Sequence, residues 1–190
     1  MYSEREIVAH HEAAHARAAA RRGGTVDGID ISFNPDRARV WTHVEIPSPN
    51  DEAFYAYAGS WVDDALLRPA GGPIDVDNLW FRVQGNNDDW GVLQRALGRL
   101  DVTDADIFGV QIHAAERRPP PAGEVRPPIA MVLQWHDDLD DEWPRIQALA
   151  KQLIDGAAEI TVGEGPSLLR VNESRWLRPG FTPDESLNQF

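Results

Sequence analysis

The sequence predicts a single, mainly helical α+β domain with a small β-hairpin, and three observations carry that expectation. Apolar residues recur at helical spacing in several long stretches, of which the alanine-rich segment after Ser3 and residues 51–67 are the clearest. β-Branched and aromatic residues gather in two short runs, from Val26 to Ile31 and from Val40 to Ile46. The chain has 190 residues, enough for one well-buried core and too few for two ordinary domains.

Composition narrows the chemistry. A net charge of -13 argues against a nucleic-acid partner, because such affinity rests on clustered Lys and Arg. There is no cysteine, so disulfides and thiolate zinc sites are excluded, and any metal has to be held by His and carboxylates. No apolar run approaches the roughly 18 residues of a membrane span. No signal peptide is visible either, so a cytoplasmic protein without a membrane partner is expected.

In chain order, Ser3-Glu4-Arg5-Glu6 is a capping-box pattern that opens a helix, and Gly23-Gly24 closes it after about Arg22. Inside that helix stands His11-Glu12-Ala13-Ala14-His15, the H-E-x-x-H pattern of zinc-dependent hydrolases. At 3.6 residues per turn, positions i and i+4 share a face, so His11 and His15 can offer imidazole nitrogens to one ion. Glu12, one step round, can take a proton from a water held there. His10 precedes the pair, but its own i+4 partner is Ala14, so only the His11 register supplies two ligands and a glutamate.

The two β-rich runs read as a hairpin turning at Asn34-Pro35-Asp36, with a strand edge that either holds an extended peptide or only covers the core. A second helix is expected from Asp51 to Leu67, apolar around most of its circumference. Asp63 and Asp64 near its end oppose the macrodipole, which leaves two readings: a partner such as a metal or a ligating histidine, or a solvated pair. After a loop from Arg68 to Pro73, Gly85-Asn86-Asn87-Asp88-Asp89 marks a turn running into a helix. Asp88 and Asp89 are ordinary helix-start carboxylates or, given that catalytic zinc takes three protein ligands, the source of the third.

Thr103 to Arg117 is expected to be helical, followed by a stiff linker with Pro119-Pro120-Pro121. Ile129 to Trp135 and the run ending at Ile154 read as two helices separated by acidic residues. Asp137, Asp138, Asp140, Asp141 and Glu142 there read as a solvated patch. His43, His113 and His136 have no second histidine at metal spacing and read as structural or surface residues. The domain is expected over residues 1–171, with a polar tail over 172–190.

These motifs resemble, in order and spacing over residues 4–155, the peptidase domain of the FtsH-type zinc metallopeptidases. That family's helix carries a pattern close to His-Glu-Ala-Gly-His-Ala, matched by His11-Glu12-Ala13-Ala14-His15-Ala16 with Ala14 in place of glycine. Its later Ala-Gly followed by paired acids is matched by Ala58-Gly59-Ser60-Trp61-Val62-Asp63-Asp64, and its aspartate-bearing turn by Gly85 to Asp89. Trp143-Pro144 before an apolar helix resembles the family's C-terminal region. The resemblance implies one zinc ion held by His11, His15 and Asp89, with Asp88 as the alternative third ligand, and Glu12 as the general base. It implies hydrolysis of a peptide or unfolded protein substrate. No Gly-x-x-x-x-Gly-Lys-Ser/Thr phosphate loop occurs in the sequence, so the expected peptidase is not ATP-dependent by itself. The competing expectation is a catalytically inactive regulatory or binding protein on the same peptidase fold.

Overall fold

The computed structural model describes residues 2–26, 28–30, 39–41, 48–68, 76–100, 126–156, 159–161 and 168–170. The turn at 34–36, the helix at 103–117, the proline-rich linker, the tail from 172, His43 and His113 lie outside the described residues.

Helix α1, Glu4–Arg21, begins with the capping box: Ser3 Oγ accepts from the Glu6 amide, and the Glu6 carboxylate accepts from the Ser3 amide at 2.7 Å. It ends where Gly23 takes a φ of 76° and the Gly24 amide donates to Ala19 O at 2.8 Å, a left-handed stop suited to glycine. Its alanines at 9, 13, 14, 16, 18 and 19 are buried, and the absence of larger side chains lets neighbouring helices come close.

Helix α2, Pro49–Leu67, starts from the Ser48 cap with proline in its first turn. Phe54, Tyr57, Trp61 and Val62 are all buried, so this helix is the centre of the core, packed on α1. Fully burying such a side chain contributes roughly 1.5–3 kcal/mol.

Helix α3, Val76–Gly85, was not apparent from the sequence, where glycine, proline and acidic residues around 71–78 obscure the helical spacing of Leu79, Trp80 and Val83. Those three side chains are buried. Asn86 alone separates α3 from α4, Asn87–Leu97, which packs on α2.

Helix α5 spans Ile129–Ile154 as one 26-residue helix, which corrects the expected pair of helices. Its buried side comprises Val132, Trp135, Leu139, Glu142, Ile146, Leu149 and Leu153, an unbroken three-and-four spacing in which Glu142 takes a core position. Pro144 lies inside it and forfeits one amide donor without ending it. The acidic patch is corrected as well. Glu142 is 2% exposed and accepts from Arg17 Nε at 2.8 Å, and Asp138 accepts from Arg22 Nη2 at 2.6 Å. Carboxylates that looked like a solvated break are thus the charged seam between α1 and α5.

The strands are short. β1, Gly28–Asp30, pairs antiparallel with β2, Arg39–Trp41, giving the expected hairpin, with Ile29 opposite Val40. Two further strands, β3 at Glu159–Thr161 and β4 at Leu168–Arg170, pair with each other, and β4 joins β1 in parallel to give the order β2-β1-β4-β3. Among the described residues no helix is long and apolar enough to cross a membrane.

Candidate metal centre

Helices α1, α2 and α4 bring the predicted residues together. One turn apart on α1, His11 and His15 have their Nε2 atoms 3.1 Å from each other. The α3–α4 break places Asp89 in the first turn of α4, with Oδ2 3.2 Å from both Nε2 atoms. These three residues form a group able to hold a metal ion. Asp88 is not in it. Its side chain is exposed and lines an adjoining cleft.

The far side of each imidazole is fixed. His11 Nδ1 lies 2.9 Å from Asp63 Oδ2, and His15 Nδ1 lies 2.8 Å from the carbonyl oxygen of Tyr55, both on α2. Carbonyl and carboxylate oxygens only accept, so both Nδ1 atoms donate, and a neutral ring then has its lone pair on Nε2. Two such lone pairs and a carboxylate oxygen within 3.2 Å of one another repel unless a proton or a metal ion lies among them. Ligand atoms placed tetrahedrally at about 2.0 Å from an ion stand roughly 3.3 Å apart, close to these separations. The donor chemistry and spacing therefore fit zinc.

Gly59 explains how the centre fits beside a helix. A Cβ built there would stand 2.5 Å from His11 Nε2 and 2.6 Å from His15 Nε2, so any larger residue would occupy the space of the donors. Asn86 closes another side, its amide nitrogen donating to Asp89 Oδ2 at 2.7 Å.

Electrostatics agree with a cation-seeking cluster. Burial pushes the His11 pKa down, but hydrogen bonds to Asp63 and Asp89 outweigh it and leave it well above the ordinary value. For His15, burial is likewise overcome by the charge of Asp89 and the hydrogen bond to it, and the pKa rises. Burial alone would raise Asp89, but the two imidazoles hold its carboxyl far below the usual range. Glu12 is 7% exposed, and burial raises its carboxyl pKa against the lowering effect of His11 and His15.

Asp63 and Asp64 both have partners, which removes the solvated-pair reading. Asp63 serves His11, while Asp64 is buried and ion-paired to Arg68 Nε at 2.6 Å and Arg82 Nε at 3.6 Å. His136 is structural, buried and 2.7 Å from the Tyr57 hydroxyl. Gly59 and the Tyr55 carbonyl were missed from the sequence as parts of the site. The signal that could have found Gly59 was the Ala58-Gly59 match to the family's Ala-Gly motif, to which no role in the site was given.

As a class, the arrangement is a two-histidine, one-aspartate donor set on a helical scaffold, with a buried glutamate beside it. No protein-family model, curated protein or solved structure matches the chain.

Proposed function

We propose that the protein is a zinc-dependent peptidase, with His11, His15 and Asp89 as metal ligands and Glu12 as general base. The observation that carries this reading is the convergence of three donor atoms within 3.2 Å, with both imidazole Nδ1 atoms already committed elsewhere. The resemblance of these motifs to the FtsH-type peptidase domain supports the same assignment.

Held by His11, His15 and Asp89, a zinc ion would supply Lewis acidity at neutral pH. Glu12 takes the proton of the attacking water and later returns it to the leaving amine. Burial moves its carboxyl pKa upward, nearer the range in which it both accepts and donates. Asp63 and the Tyr55 carbonyl keep the imidazoles in the ligating tautomer, and the cleft of about 560 Å³ lined by Asp63, Arg82, Gly85, Asn86 and Asp88 receives the substrate.

The test is Glu12→Gln. It should leave zinc content and fold unchanged and reduce cleavage of unfolded casein by at least about a hundredfold. Unchanged cleavage contradicts the role of Glu12. Zinc uptake by the wild-type chain without cleavage of casein or of peptide libraries would replace the reading with that of a binding protein.

A further inference from the structure

We propose that Arg82 selects substrates that carry a carboxylate, binding it in the cleft beside the metal centre. The inference rests on the peptidase reading for its substrate class and on the cleft itself for the binding group. Asp63 and Asn86 belong both to the cleft wall and to the surroundings of the donor atoms, so the cleft adjoins the metal centre.

The charges in and behind that wall are unevenly satisfied. Asp64, behind it, is 3% exposed and is shared by two guanidinium groups, with Arg68 close at 2.6 Å and Arg82 more distant at 3.6 Å. One carboxylate cannot neutralise two guanidinium groups, and the nearer one has the better claim. Neither Nε makes a well-aligned hydrogen bond, and Arg82 is the farther of the two from the carboxylate. Its Nε is closed off from solvent without a hydrogen bond, yet its side chain is 38% exposed and lines the cleft. Among the described residues no other acid pairs with it. A partly exposed guanidinium group in the wall of a cleft suits two-point recognition of a carboxylate.

The two cleft aspartates do not remove that preference. Asp63 is committed to His11 Nδ1 at 2.9 Å. Asp88 is exposed, so water screens it. A peptide supplies the matching carboxylate either at its free C-terminus or on a Glu or Asp side chain.

The experiment measures equilibrium binding of short peptides to zinc-loaded Glu12→Gln protein, with casein cleavage by the wild-type protein followed separately. Three peptides of one sequence are compared: one with a free C-terminus, one amidated, and one amidated but with an internal Gln replaced by Glu. Removing the only carboxylate should weaken binding about ten- to a hundredfold, and restoring one as Glu identifies a side-chain source if affinity returns. Arg82→Gln should abolish the difference between free and amidated peptides, and Asp88→Asn should increase it. Equal binding of all three peptides, or tighter binding of lysine-rich peptides that is indifferent to Arg82, overturns the proposal even if casein is cleaved. A carboxylate preference seen without any cleavage supports the proposal and removes the peptidase reading alone.

Discussion

Helix α1 carries two buried polar clusters that answer the same physical problem in opposite ways. At its C-terminal end Arg17, Arg21 and Arg22 meet Asp138 and Glu142 of α5, cation against anion, so charge is matched within the protein. One to two turns earlier, His11 and His15 meet Asp89 with two nitrogen lone pairs and an anionic oxygen aimed at one place. The first cluster stabilises helix packing. The second gathers donor atoms that could hold a metal ion, the role the proposed function gives it.

Breaking each cluster should therefore produce different losses. Glu142→Ala removes the buried carboxylate that Arg17, Arg21 and Arg145 share and should lower unfolding free energy by about 3–5 kcal/mol in urea titrations. Zinc affinity of the folded protein should not change. Asp63→Asn should do the reverse, weakening zinc binding by about 10- to 100-fold in competition titrations, because an outer partner sets ring orientation and basicity. Its effect on urea stability of the metal-free chain, measured above the raised pKa of His11, should be smaller than that of Glu142→Ala.

A smaller effect separates the histidines by pH. Burial and the charge of Arg68 lower the pKa of His136 from 6.5 to about 4. Its contribution to stability is thus present above 6.5 and lost as pH falls towards about 4, because the unfolded chain binds the proton first. The metal-free pair His11 and His15 has the opposite sign. Their raised pKa values favour the folded state below 6.5, and that contribution is lost as pH rises through the raised values. Thermal melts of the metal-free chain should show His136→Gln flattening the acid limb of the stability profile. Zinc should remove the alkaline loss, since coordination requires neutral imidazoles.

How much of this was legible depended on the range of the interaction. The capping box, the i,i+4 histidines and the glycine stop are written within a few residues, and helix α1 follows them closely. The Gly85 to Asp89 turn indicated a helix start and a candidate ligand but could not separate Asp88 from Asp89. That choice depends on how α4 faces α1, a contact between residues 74 apart in sequence. The charged seam was read as solvated because the arginines satisfying Asp138 and Glu142 lie 116 to 125 positions away. The same long-range pairing keeps α5 continuous through a segment whose local composition suggested a break. Gly59 carries no donor atom, and its importance appears only when the space its missing side chain leaves is found to hold two imidazoles.

The most direct measurement is calorimetric zinc titration of the purified, metal-stripped chain, repeated on Asp89→Ala and Gly59→Ala. The wild-type protein should bind one ion per chain with proton release at neutral pH, and both variants should lose more than the roughly 100-fold expected of an outer partner. Zinc binding that is absent from the wild-type chain, or equally strong in both variants, would contradict a metal centre built from His11, His15 and Asp89.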